Sequence, residues 1–148
     1  MTTIATRGNG IVAADQQCTW GDSVKLRVAK LRRLKDGSVV GGCGHVSEIL
    51  AAVRWLETRK GKAPKMRNCD VLIARPDGTT VTLCPDGIFS EVKGPMAIGS
   101  GMQAAMAAMV YFGASAEEAV MAAAEVDPNT SAPVDVMRVE PKAKRKRK

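Results

Sequence analysis

Thr2 is the one residue of this sequence that could act as a complete reagent. Removal of Met1 would leave it with a hydroxyl and a free α-amine on the same carbon skeleton. An α-amine titrates near pKa ~7.7–8.0, so at neutral pH part of it is unprotonated and can accept the hydroxyl proton. Nucleophile and general base would then belong to a single residue. The feature is unspecific by itself, because an ordinary first strand can also begin Thr-Thr. The other reactive side chains offer less. Cys18, Cys43, Cys69 and Cys84 are widely spaced with no C-x-x-C pair, which reads as reduced core or strand cysteines in a cytosol-like compartment. One histidine and no ligand cluster give no metal site. Gly99-Ser100-Gly101 lacks the further glycines and the lysine of a phosphate cradle, so no nucleotide site is expected.

The elements that must position Thr2 follow from periodicity and turn chemistry. Thr3 to Arg7 reads as a strand, Gly8-Asn9-Gly10 as a tight turn and Ile11 to Ala14 as the returning strand, ending at Asp15. Gln16 to Gly21 is polar and reads as irregular. Ser23 to Leu34 alternates loosely and suggests strand, with a hairpin turn at Asp36-Gly37 and a returning strand over Ser38 to Gly42. Gly41-Gly42-Cys43-Gly44 is a glycine-rich bend before a helix from His45 to Lys60. In that helix Val46, Ile49, Leu50, Val53 and Leu56 share a face, and Gly61 is expected to stop it. Lys62 to Asn68 is a basic loop. Cys69 to Ala74, Thr79 to Leu83 and Ile88 to Val92 are three strands of a meander, parted by Pro76-Asp77-Gly78 and Pro85-Asp86-Gly87. An apolar Met96 to Ile98 leads into a helical stripe from Met102 to Val110, closed by Gly113. Ser115 with Glu118 forms a capping box for a helix to about Glu125, and Pro133 to Val139 is the last strand. Paired sheets with helices on their outer faces would bury these apolar stripes.

Met1-Thr2-Thr3-Ile4, Asp15 with Thr19-x-Gly21, Lys30-x-Arg32-Arg33-Leu34, Gly42-Cys43-Gly44 and Ala97-Ile98-Gly99-Ser100-Gly101 occur in that order. Together they resemble the proteasome-type N-terminal-nucleophile hydrolases, and among them the HslV-type peptidases, over most of residues 2–139. The resemblance implies an α+β fold, a four-layer αββα sandwich with the nucleophile at the start of the first strand. It implies Thr2 as nucleophile, Asp15 as the acid of the second strand and Lys30 as the buried lysine paired with it. Gly44 matches the glycine whose N–H forms the oxyanion hole, and Ser100 the serine beside the α-amine. Asp127 and Thr130 match an Asp-x-x-Ser pair, with Thr in place of Ser. Read without the resemblance, Lys30 is a solvated strand lysine and Asp15 a turn cap. Gly44 is then a sharp bend, Ser100 a helix N-cap and Asp127-Pro128-Asn129-Thr130 a turn. The sequence departs from the family pattern at residues 61–68, where the second of two helices is missing.

Composition bounds the function. A chain of 148 residues is expected to form one domain, here residues 1–140. The net charge is +7, but Pro141 to Lys148 holds six basic residues and no acid, so the body is close to +1. Residues 141–148 read as a disordered basic tail able to make weak polyanion contacts through Lys142–Lys148. A near-neutral body with 3% aromatics argues against a dedicated nucleic-acid binder. No signal peptide and no membrane-length apolar run are read, which suggests the cytoplasm. By resemblance, the expected activity is hydrolysis of unfolded polypeptide by a homo-oligomeric ring. The chain needs no cofactor of its own, and ATP is used by a partner AAA+ unfoldase. The alternative is a catalytically silent protein of the same fold serving assembly.

Overall fold

A computed structural model describes residues 1–21, 23–85 and 89–141. Eleven strands and three helices occur among them. One sheet is built from β1 (Thr3–Thr6), β2 (Ile11–Asp15), β10 (Met96–Gly99) and β11 (Val134–Arg138), in the order β10-β1-β2-β11. A second holds β5 (Leu31–Arg33), β6 (Val39–Gly44), β7 (Cys69–Ala74), β8 (Thr80–Leu83) and β9 (Phe89–Val92), in that order. All neighbours in both sheets are antiparallel. A separate ribbon pairs β3 (Gln17–Trp20) with β4 (Val24–Arg27).

The layers follow from the two-residue period of strands. Along β7, Val71 and Ile73 face α1 (Val46–Thr58), while Leu72 and Ala74 face the other sheet. Along β1 and β2, Ile4, Val12 and Ala14 face that same inter-sheet core, while Ala5 and Ala13 pack under α2 (Met102–Phe112) and α3 (Ala116–Val126). The order is therefore α1, five-stranded sheet, four-stranded sheet, α2 with α3. This is the four-layer α+β arrangement expected. Alanine dominates the layer between the four-stranded sheet and its helices, at Ala105, Ala108, Ala119 and Ala123, which lets helix and strand backbones approach closely.

Several local expectations change. Gln17–Trp20 is strand rather than irregular, because its backbone pairs with β4 although its side chains do not alternate. The expected strand over Ser23 to Leu34 is broken at residues 28–30, where the chain passes from the ribbon to the five-stranded sheet. α1 stops at Thr58, before Gly61. Arg59 takes the left-handed C-cap, its N–H bonds to the Trp55 carbonyl, and its guanidinium sits 4.8 Å from the centroid of the Trp55 ring. Among the described residues no helix follows α1 before β7. The capping box of α3 forms as read, Ser115 accepting from the Glu118 N–H and donating its own N–H to the Glu118 carboxylate. Asp86-Gly87 and Ile88 lie outside the described residues, as does the tail from Lys142 to Lys148.

Candidate active site

Thr2 is buried, 8% exposed, immediately before β1. β1 is a central strand, held by β10 on one side and β2 on the other. The Thr2 carbonyl accepts from the Ser100 N–H at 2.9 Å, so residue 2 is anchored to the end of β10. Gly99 makes that contact possible. Its φ is +98°, and a Cβ there would stand 1.7 Å from the Thr2 carbonyl oxygen.

Asp15, at the end of β2, is fully buried. It is not a simple turn cap. Its Oδ1 accepts from the Thr3 N–H at 2.8 Å and from Lys30 Nζ at 2.9 Å, and its Oδ2 from the Gln17 N–H at 3.0 Å. Lys30 is not a solvated strand lysine either, its side chain being 8% exposed. An ammonium has three N–H donors, and all three are engaged. Besides Asp15, Nζ donates to the Gln17 carbonyl at 2.5 Å and to the Met1 carbonyl at 3.0 Å. Burial lowers the Lys30 pKa below the usual lysine range, against the raising effects of the Asp15 hydrogen bond and charge.

A second cluster lies across the cleft. Ser100 donates its hydroxyl to Asp127 Oδ2 at 2.6 Å, and Thr130 donates to the same oxygen at 2.6 Å. Thr130 Oγ1 lies 2.6 Å from Thr3 Oγ1, which accepts from the Gly101 N–H at 3.0 Å. Since the Thr130 proton goes to Asp127, Thr3 must be the donor in that pair. The oxygen of Ser100 keeps its lone pairs for an incoming donor. Burial raises the Asp127 carboxyl, but the hydroxyls of Ser100 and Thr130 and the Asn129 N–H outweigh it and hold the group below the usual carboxylate range. Ser100 is not the N-cap of α2; Gly101 is.

Gly44 ends β6 at φ +106°, where a Cβ would come 2.1 Å from the Asn68 carbonyl oxygen. The position is restricted to glycine on two counts. Gly44, Thr2, Lys30 and Ser100 border one cleft of about 430 Å³. Cys43 borders it too, but burial and then the Asp70 charge push its thiol up to about 11, so it is no competing thiolate at neutral pH.

Of the seven expected positions, Thr2, Lys30, Gly44 and Ser100 border the cleft, Asp15 stands behind Lys30, and Asp127 with Thr130 stands behind Ser100; Gly44 is bonded to neither group. Gln17 and Thr3 were not among the expected site residues. Gln17 is 4% exposed and touches both groups, taking Lys30 on its carbonyl and donating Nε2 to the Pro128 carbonyl at 3.3 Å. Its Oε1 has no partner among the described residues. Nothing in a Gln-Gln-Cys-Thr stretch signals this, since its meaning lies in contacts 111 residues away.

No protein-family model matches the chain. Solved structures do. Thiobacillus denitrificans BPH in complex with epoxomicin has a TM-score of 0.70 at 23% identity, covering 95% of this chain and 100% of that one. Eukaryotic HslV from Trypanosoma brucei has a TM-score of 0.74 at 22% identity, covering 93% and 98%. A further structure of Thiobacillus denitrificans BPH has a TM-score of 0.68 at 24% identity, covering 96% and 100%. At such identities what is shared is the fold. This chain has the N-terminal-nucleophile hydrolase fold of the HslV- and proteasome-type peptidase subunits.

Proposed function

We propose that this chain is a threonine-type peptidase acting on unfolded polypeptide, with Thr2 as nucleophile. The observation that supports it best is the donor count at Lys30. One of its three hydrogen bonds ends on the Met1 carbonyl. Loss of Met1 exposes the Thr2 α-amine and frees that donor in the same event. Thr2 and Lys30 border the same cleft, and the freed N–H would be available to stabilise negative charge forming on the Thr2 hydroxyl. The ammonium also lowers the proton affinity of the neighbouring amine, which keeps it available as base near neutrality. The Thr2 hydroxyl adds to the substrate carbonyl, its proton passing to the α-amine. The Gly44 N–H receives the developing oxyanion. Collapse of the adduct releases the amine product as the α-ammonium returns its proton to the leaving nitrogen; water, deprotonated by the regenerated α-amine, then cleaves the ester, and the proton passes to the Thr2 oxygen as it leaves. Ser100, with Asp127 and Thr130 behind it, orients the amine through its free lone pairs. Gln17 keeps the two groups in register.

By the family resemblance, the subunit would assemble with copies of itself and receive substrate from an ATP-driven AAA+ unfoldase in the cytoplasm. It needs no cofactor in its own chain. No helix among the described residues is long and apolar enough to cross a membrane.

Intact mass after native expression is expected to show a chain lacking Met1, and that form alone should react with a threonine-directed electrophile. Epoxomicin, bound by one of the neighbours, is the first compound to try. A mass that retains Met1, with no adduct, would favour the silent assembly protein. In a second test, Gln17→Met removes one hydrogen bond and one orphaned acceptor. These effects are each on the order of 1 kcal/mol and opposite in sign, so stability in urea should barely change. kcat should fall about tenfold at constant KM, because misplaced groups lose transition-state rather than ground-state binding.

A further inference from the structure

We propose that the cleft beside Thr2 selects an acidic side chain, glutamate before aspartate, at the substrate residue whose carbonyl is attacked, and that Arg32 is the residue that reads it. The proposal deepens the threonine-peptidase reading and rests on it.

Seventeen residues border the cleft, and none is Asp or Glu. Two are basic, Lys30 and Arg32. The charge of Lys30 is offset by Asp15 at 2.9 Å and its three donors are engaged, so it does not advertise a free cation. Arg32 differs. It lies exposed on β5, its backbone in the ladder with β6, and among the described residues its side chain has neither an ion pair nor a hydrogen bond. Its neighbour Arg33 is engaged elsewhere, with the Arg138 carbonyl at 2.6 Å and Glu140 at 3.5 Å. A guanidinium with five unspent donors on the wall of a substrate cleft suits a carboxylate, which it can grip with two parallel hydrogen bonds.

A helix begins on the same wall. α1 starts at the cleft with Val46, and its N-cap His45 makes no side-chain hydrogen bond to the first turn. The acidic residue of that turn, Glu48, is spent on the Arg67 and Asn68 N–H groups, at 2.9 and 3.0 Å. Glu48 keeps its negative charge beside the helix start, so the cationic group left to an anion on this wall is Arg32.

The remainder of the wall is aliphatic, with Val28, Val46, Ile49 and Leu50. Its position is fixed, since a Cβ on Gly42 would come within 2.8 Å of the Ile49 side chain. An apolar wall ending in a cation fits a side chain with a methylene stem and an anionic tip. Glutamate has the longer stem and covers more of the wall.

The test uses three fluorogenic peptides that differ only in Glu, Gln or Leu at that residue, with the protein lacking Met1. Glu is expected to be preferred over Gln by about 10- to 100-fold in kcat/KM, the usual worth of a charge-assisted bond. Arg32→Gln should erase that ratio. Arg32→Glu should turn the preference towards a Lys peptide. Equal cleavage of all three peptides, or an unchanged ratio in Arg32→Gln, overturns the proposal and leaves the threonine reading standing. Calorimetric binding of peptides ending in Glu, Gln or Leu to the Thr2→Ala protein reads selectivity without turnover. No preference for Glu there overturns the proposal even if no peptide is hydrolysed. Absence of both hydrolysis and Thr2 labelling overturns the threonine reading itself.

Discussion

Thr2→Ala is expected to abolish peptide hydrolysis, a loss of at least about a thousandfold, while the protein stays folded. The folding half of the expectation rests on contacts the side chain does not make. The hydrogen bond that anchors residue 2 runs through its backbone carbonyl to the Ser100 N–H. Thr2→Ser keeps hydroxyl and amine and should retain partial activity. Lys30→Ala should cost nearly as much as Thr2→Ala, because the two act as one unit and such losses do not add. It also leaves the fully buried Asp15 carboxylate without its cation, a loss of about 3–5 kcal/mol in comparable pairs. Lys30→Arg separates the two effects. It keeps a positive charge facing Asp15 and hence most of the stability, but its planar fork cannot reproduce three divergent donors. Lys25→Ala, on the exposed strand β4, should change little. Initial rates on a small peptide, with melting temperatures for each variant, decide the matter. Equal rates for wild type and Thr2→Ala would remove Thr2 from the mechanism.

Gly99→Ala should be the most damaging substitution of a residue with no chemistry of its own. At φ +98° a side chain is strained, costing roughly 1–3 kcal/mol. The added methyl would also overlap the Thr2 carbonyl oxygen, 1.7 Å from its Cβ. Relief requires residue 2 to move off the end of β10, which breaks the Ser100 N–H bond and shifts the nucleophile. A fall in stability of about 3 kcal/mol or more is expected, together with loss of activity and of electrophile labelling. Gly78→Ala, also at positive φ but with open space around it, should show the backbone cost alone. Urea denaturation of the two variants measures the difference. Similar curves for both would show that the contact with Thr2 carries no weight.

The layers were legible because strands buried on both faces read as short apolar runs between turn signals, and the three helices carry clear stripes or caps. Residues 17–20 were not legible. β3 is stabilised by backbone pairing, with two of its four side chains exposed, so no apolar pattern marks it. The end of α1 was missed by one residue type. The αL position usually given to glycine is held by Arg59, which gains a contact with Trp55 that periodicity cannot show. Within the cleft, Thr2, Asp15 and Lys30 could be found from a resemblance of motif order. Thr3 and Arg32 lie inside two of those motifs, but motif order gave neither a role, and Gln17 lies outside them. Thr3 and Gln17 matter through bonds to residues more than 100 positions away, and Arg32 through its lack of a partner amid several similar basic residues.

The sheet order sets a clock on maturation. β1 is the first strand to be synthesised, yet the neighbour that locks it, β10, spans Met96–Gly99. At roughly 5–20 residues per second, a growing chain waits on the order of 5–20 s between making the two. During that interval β1 can pair only with β2, and an isolated hairpin is marginal in water. The amino terminus is therefore open to an aminopeptidase while the ribosome is still working. It closes around residue 2 only when most of the polypeptide exists. Excision of Met1 and burial of Thr2 become successive events in time.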